Sequence, residues 1–239
     1  CSSIIGPIIP PSIVMVVYAS ILRDVSVIQL FTAGIVPGLL MTGMLLATSG
    51  LMAWIYRFPR HGDTDLRSAA RAFVPTIPAL LVPLIILGGI IGGFTTVTEA
   101  SAFAAVYTIA IGFLVHRSLS LAKIWRALKA TVVFSGVVFF LLAASTVLGW
   151  FVTRSGIARD AASIIADIST NWVIQIMLVN LLLILLGTVL DVLPALVVVA
   201  PVLVPAMTQL GFDPLHFAMV MILTLNVANI TPPVGMTLM

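Results

Sequence analysis

Charge is scarce in this chain. Of 239 residues only 8% are Asp, Glu, Lys or Arg, whereas an average soluble domain carries about a quarter. With 61% hydrophobic residues and a mean hydropathy of +1.26, this excludes a soluble domain and implies a polytopic membrane protein. Cysteine is nearly absent: Cys1 alone excludes an internal disulfide framework and a cysteine metal cluster. Three scattered histidines do not build a metal site. No nucleophile elbow, zinc-protease histidine pair, phosphate loop or nucleotide fingerprint is present. The formal charge of +3 and pI near 9.5 reflect basic loops at a membrane surface and say nothing of nucleic acid.

What the chain does have is two proline-broken membrane helices. Asn229-Ile230-Thr231-Pro232-Pro233-Val234-Gly235 ends an apolar run from His216 to Ile230. Two consecutive prolines remove two backbone donors and clash with the preceding turn, so the helix must break. In hydrocarbon the freed carbonyls cost several kcal/mol each unless something binds them. Gly6-Pro7-Ile8-Ile9-Pro10-Pro11-Ser12 is a near copy at the other end. Paired broken helices point to a transporter binding site; ordinary proline kinks are the structural alternative.

Taken in order, Ser12 to Leu22 is the second half of a broken helix and Val27 to Tyr56 a span. An aqueous loop runs from Arg57 to Arg71, followed by spans at Phe73–Phe94 and Thr95–Val115. In 116–129, Leu121, Ile124, Trp125 and Leu128 repeat with helical spacing while Lys123, Arg126 and Lys129 face away. That pattern predicts an amphipathic helix in the interface plane, separate from a span at Thr131–Thr153. Ile157, Ala161, Ile164, Ile165 and Ile168 predict a second interfacial helix, with Arg159, Asp160 and Asp167 on its polar side. Trp172 to Leu210 carries one charge, Asp191, yet as a straight helix it would be about 58 Å long, nearly twice the hydrocarbon thickness. It reads as a re-entrant hairpin with its tip at Gly187-Thr188 and Asp191, where Asn180 and Gln175 on the first arm make interhelical hydrogen bonds.

The expected architecture is therefore an all-α, polytopic integral membrane bundle with inverted repeats, one hairpin and two discontinuous helices. Residues 1–22 form the broken helix of the first repeat, 23–171 the connecting and scaffold spans, and 172–239 the hairpin and broken helix of the second repeat. The chain is expected to be a fragment of a longer protein, cut near both breaks. Arg57, Arg60, Arg67, Arg71, Arg117, Lys123, Arg126 and Lys129 fall on one side of these spans, and Arg23, Arg154 and Arg159 on the other. Eight basic residues against three put the first side in the cytoplasm. The two broken helices then run in opposite directions, as an inverted repeat requires.

The candidate chemistry sits at the breaks. The carbonyls of Asn226 to Ala228 and Asn229, with one hydroxyl at Thr231, make an oxygen cage suited to a small hard cation such as Na⁺. The half-helix after Pro232-Pro233 points its positive end inward, toward an anionic carboxylate. Gly187 permits close approach, the first break offers the Gly6, Ile9 and Pro10 carbonyls, and Ser12 can cap its half-helix. Asp191 is either an ion- or substrate-coupling carboxylate or the N-cap of the second hairpin arm. Glu99, beside Thr96 and Thr98, is either functional or a first-turn carboxylate favoured by the helix dipole.

These residues resemble the large membrane subunit of tripartite ATP-independent periplasmic (TRAP) transporters. The resemblance rests on Gly6 to Ser12, the Gly-x-x-Leu-Asp tip from Gly187 to Asp191, the Phe-Asp-Pro-Leu-His-Phe segment from Phe212 and Thr-Pro-Pro-Val-Gly from Thr231. It implies an elevator-type symporter in the bacterial inner membrane, coupled to Na⁺, without a cofactor and not an enzyme. An organic acid (a dicarboxylate, sialic acid or similar) would be delivered by a periplasmic solute-binding protein, beside a small membrane subunit in the lipid bilayer. By position, one sodium site would use Gly6, Ile9 and Pro10, with a hairpin preceding Cys1. The other would use Gly187, Ala228, Thr231 and Val234. Ala228 stands where the family usually has Gly, and Val97 and Val192 each replace a family proline. A related two-hairpin transporter, of tripartite tricarboxylate type or an anion exchanger, is the alternative; a membrane enzyme or scaffold fits less well, because the polar residues gather at helix breaks.

The charge count makes a topological prediction. Cysteine labels at Gly62 and Leu119 should react only from the cytoplasm, and labels at Gly156 and Gly211 only from outside. Labelling of Gly62 and Gly211 from the same face would rule out the inverted arrangement.

Overall fold

The computed structural model describes residues 6–22, 24–56, 73, 76–117 and 119–231. Among these residues the backbone is helical, without strands: α1 (Ile13–Ile21), α2 (Val27–Ile55), α3 (Ile77–Ile91), α4 (Val97–Leu114), α5 (Leu121–Ser155), α6 (Ile157–Ile168), α7 (Trp172–Gly187), α8 (Val192–Gln209) and α9 (Pro214–Ala228). Helices α2, α4, α5 and α8 are long and apolar enough to cross a membrane. The shorter α3, α7 and α9 are apolar too. The chain is a helical, multi-pass membrane protein. The basic loop at 57–72, Arg23 and the Pro232-Pro233-Val234 end of the second break lie outside the described residues.

Short polar residues set the helix starts. Ser12, Thr96, Asn171, Asp191 and Asp213 each accept a backbone N–H from the first turn that follows, which satisfies a donor that no carbonyl can reach. Pro214 then occupies the first turn of α9, where its missing N–H is harmless.

Two compact units divide the chain: residues 1–39 with 134–239, and residues 40–133. In the first, α8 supplies the core. Its buried residues run from Val192 to Met207, and Ala195, Ala200 and Ala206 have no exposed surface. Small side chains let neighbouring backbones approach closely, which drives helix association where lipid supplies no hydrophobic contrast. Helices α1, α6 and α9 pack on α8, and α7 packs on α9. The interruption expected within 172–210 is present: α7 and α8 are separate helices joined through Thr188 to Asp191. The Thr224 hydroxyl of α9 donates to Asn180 Oδ1 of α7 at 2.9 Å, the expected interhelical bond. Gln175 differs, since its amide donates at 2.9 Å to the carbonyl of Ser169 in the turn before its own helix. The second unit holds α3 and α4 as a hairpin, with the Tyr107 hydroxyl donating to the Pro78 carbonyl at 3.3 Å.

The expected separate interfacial helix at 116–129 is not formed. Leu121 to Ser155 is one helix of 35 residues, about 52 Å long. Between Leu121 and Phe134 there is no proline or glycine, and Ala127, Leu128 and Ala130 are strong helix formers. Amphipathic turns and span therefore join without a break. The Lys129 ammonium lies 5.6 Å from the Trp125 ring centroid instead of facing away from it. The second interfacial helix exists as α6, but its apolar surface is divided. Ala158, Ala162 and Ile165 are buried against the protein, while Ile157, Ile164 and Ile168 form a separate exposed stripe.

Proline inside α8 creates a debt that another helix settles. Pro201 has no N–H for the carbonyl of Val197, and the buried Ser145 hydroxyl of α5 donates to that carbonyl at 3.3 Å. Ser145→Ala should lower stability by about 0.6–1.7 kcal/mol, the range for such bonds in membrane bundles. In a Pro201→Ala background residue 201 supplies its own N–H, and the same Ser145 change should cost little. Thermal unfolding of the four proteins in detergent tests this; equal cost in both backgrounds would refute it.

Candidate functional site

The first break is an irregular segment from Gly6 to Pro11, with a cis bond between Pro10 and Pro11. Ile8 is fully buried beneath it, and Ser12 is almost fully buried at its end. The Ser12 hydroxyl donates to the Pro7 carbonyl and accepts the Met15 N–H at 3.4 Å. Ser12 therefore caps α1, as its position suggested. Gly34 of α2 leaves room for this segment, because a Cβ there would sit 3.0 Å from the Ile8 carbonyl oxygen. Pro10 is buried and Ile9 about one-third exposed.

At the hairpin tip, α7 ends on Gly187. A Cβ at this position would lie 2.6 Å from the Cβ of Ala228, inside any real contact distance, so only glycine lets tip and α9 meet. Asp191 caps α8 by accepting the Val192 N–H at 2.8 Å, and it also accepts the Asn229 side-chain N–H at 3.3 Å. Both are made by the same oxygen, Oδ1. The carboxylate thus ties the tip to the end of α9.

The second break closes more tightly than its prolines alone suggest. The Val227 and Ala228 carbonyls accept the N–H groups of Ile230 and Thr231, three residues on, at 3.2 and 2.9 Å. These carbonyls were expected to be free; a last turn of 3₁₀ type uses them instead. The Ala228 carbonyl keeps a second lone pair. The exposed Thr231 hydroxyl donates to the Val227 carbonyl at 3.3 Å.

A cavity of about 370 Å³ joins these parts. It is lined by Gly6, Pro7 and Ser12 from the first break, Asp191 from the tip, and Asn226 and Asn229 from the end of α9. Its size is at the low end of the range for small-molecule sites. Among the described residues Asp191 is the one carboxylate in the lining and no basic side chain joins it. Asn226 is buried and donates its amide N–H to the Ile222 carbonyl at 2.7 Å, which leaves its oxygen as an acceptor. Carboxylate, amide oxygens and proline-segment carbonyls are hard oxygen donors, the set that suits an alkali or alkaline-earth cation. Among the described residues no three of His, Cys, Asp or Glu stand together as a metal cluster.

The structure therefore brings Gly6, Ser12 and Asp191 to one cavity, and Gly187 against Ala228 beside it. Pro232, Pro233 and Val234 lie outside the described residues. Thr96, Thr98 and Glu99 belong to the second unit and are exposed at the start of α4. There the Thr96 N–H and hydroxyl donate to Glu99 Oε2 at 2.8 and 2.9 Å, and the Glu99 N–H returns to the Thr96 hydroxyl at 3.3 Å, a capping box. The side chains of Asn226 and Asn229 were not anticipated as site residues. Their i, i+3 spacing at the polar end of an otherwise apolar run is the signal that marks them.

The family model for "Tripartite ATP-independent periplasmic transporter, DctM component" matches residues 1–239. The uncharacterized protein YgiK of Salmonella typhimurium is 37% identical over 98% of this chain and 54% of its own length. The sialic acid TRAP transporter large permease protein SiaM of Vibrio cholerae is 36% identical over 99% of this chain and 55% of its own. The isethionate TRAP transporter permease protein DctMQ of Oleidesulfovibrio alaskensis is 36% identical over 98% of this chain and 37% of its own. The chain spans about half the length of the first two. The paired proline breaks, the glycine-to-aspartate tip and a match over every residue agree: the chain belongs to the DctM-component family of tripartite ATP-independent periplasmic transporters, a family of transport permeases and not of enzymes.

Proposed function

We propose that the full-length protein takes up an organic acid across the bacterial inner membrane, coupled to Na⁺, with a small membrane subunit and a periplasmic solute-binding protein as partners. The observation that carries this reading is the cavity joining the first helix break, the hairpin tip and the end of α9 around the lone carboxylate of Asp191. Named relatives handle sialic acid and isethionate, both organic anions, and that substrate class is taken over to this chain. The inverted repeats and an elevator motion rest on the opposed directions of the two breaks inferred from the basic-residue count.

In this reading the chain's own residues do three things. Proline-segment carbonyls and the Asp191 and Asn226 oxygens offer a dehydrated cation an oxygen shell. Asn229 holds Asp191 in place, and Gly187 lets the tip close on α9. Na⁺ supplies the positive charge that the Asp191 carboxylate lacks in this cavity, and each net charge that crosses the membrane contributes about 2.3 kcal/mol per 100 mV. Thr231, Ala228 and Val234 with Gly187, and Gly6, Ile9 and Pro10, are the proposed sodium-site positions; Ser12, Pro232 and Pro233 shape the breaks beside them. Thr96, Thr98 and Glu99 are assigned to substrate or coupling on sequence position alone.

Two experiments on the complete transporter test this. Thr231→Ala removes a side-chain oxygen without moving the prolines, so apparent Na⁺ affinity should fall roughly ten- to a hundredfold, while Thr231→Ser stays near wild type. An unshifted Na⁺ dependence of initial uptake would leave Thr231 a helix cap and the sodium site misplaced. Gly187→Ala should cut uptake at matched expression through the Cβ clash with Ala228, and Ala228→Gly should restore it in the double variant. Failure of that rescue would mean that tip closure on α9 is not the step affected.

A further inference from the structure

A second polar cavity, of about 380 Å³, lies at the corner where α5 ends and α6 begins. Arg154 and Arg159 both line it, with Ser155, Gly156, Pro205 and Gln209. It shares no lining residue with the cavity at the helix breaks. Arg154 and Arg159 are two of the three basic residues on the outer side in the charge count, and Arg23 is the third.

We propose that this corner is a binding site for a small carboxylate-bearing anion on the outer, aqueous face. Three features support the assignment. First, Arg154 and Arg159, both exposed, line one small cavity, and among the described residues neither has an ion-pair or hydrogen-bond partner. Guanidinium forks match carboxylate geometry in a way a single ammonium cannot. Second, Gly156 is left-handed (φ 75°) and caps α6 without a side chain, so no side-chain oxygen competes for the positive end of that helix. The first-turn carboxylate Asp160 does not line the cavity. Third, the volume is that of a small molecule and not of a protein interface.

The geometry also separates a soluble anion from a lipid headgroup. On α6 the exposed stripe of Ile157, Ile164 and Ile168 is the surface suited to lipid. At 3.6 residues per turn, Arg159 lies about 160° around the helix from that stripe. A guanidinium reaching for a lipid phosphate would sit on the flank of the isoleucines; this one faces away from them. The site goes beyond the transport reading, because its evidence is independent of Na⁺ and of the helix breaks. It would concentrate an acidic solute at the outer end of α8.

The test is calorimetric titration of the full-length protein in neutral detergent with succinate, at constant ionic strength, and in parallel with inorganic phosphate and with phosphatidylglycerol micelles. Succinate should bind saturably. Arg154→Gln and Arg159→Gln should each weaken it roughly ten- to a hundredfold, while Arg154→Lys and Arg159→Lys keep part of the affinity. Asp191→Asn should leave this binding unchanged. Unchanged thermal unfolding of the anion-free variants establishes that they are folded, and the lysine variants carry the test if a glutamine variant is not. Succinate binding lost in Asp191→Asn but kept in both arginine variants would put the anion at the helix breaks and overturn the proposal. Arginine-dependent binding of phosphatidylglycerol without succinate binding would overturn it in favour of a lipid site. Absence of saturable binding by any of the three would overturn it outright.

Discussion

A backbone carbonyl in hydrocarbon has no water to turn to, and most of this structure follows from how its proline-freed carbonyls are met. Pro201 strands the carbonyl of Val197, and Ser145 of another helix reaches it. The second break shortens its last bonds to the i+3 pattern, which uses the Val227 and Ala228 carbonyls before the prolines are reached. At the first break the Ser12 hydroxyl turns back to Pro7. The cavity bordered by Gly6 and Pro7 of the first break and by Asn226 and Asn229 at the end of α9 is where a ligand has room.

Asp191 shows how one residue can satisfy two readings that look opposed. As an N-cap it stabilises the start of α8, and such a cap is worth about 1 kcal/mol. That alone would not repay an isolated charge at membrane depth, which translocon scales put at about 2.5–3.5 kcal/mol. The Asn229 amide and the cavity it shares with Ser12 and Asn226 are the rest of its environment. Oδ1 makes both hydrogen bonds, so the other carboxylate oxygen remains for whatever enters. Capping fixes the geometry that a coupling role would need.

The departures from expectation share a cause. Helix α5 runs through what looked like an interfacial segment because nothing between Leu121 and Phe134 can stop a helix; amphipathic pattern describes surfaces, not ends. Helix α6 carries the expected isoleucines, but of these Ile165 alone faces the protein, beside Ala158 and Ala162, which pattern reading passes over. In a membrane bundle small residues make the contacts and large ones meet lipid, so large-apolar periodicity identifies the lipid-facing side as readily as the buried one.

The sequence by itself determined the membrane class, the interruption within 172–210, the caps at Ser12 and Asp191, and the positions of both breaks. These depend on local backbone chemistry: proline lacks a donor, short polar side chains cap, and about 20 apolar residues span a bilayer. The family was legible for the same reason, since its motifs are runs of such residues. Only the tertiary structure decided that Gly6, Ser12, Asp191 and Asn226 share one cavity, that Gly187 meets Ala228, and that Ser145 serves Val197. Gly187 and Ala228 lie 41 residues apart, Ser145 and Val197 52, and Ser12 and Asp191 179, and no local rule relates them. They are set by which helix faces approach most closely, a property of side-chain shape summed over the whole bundle.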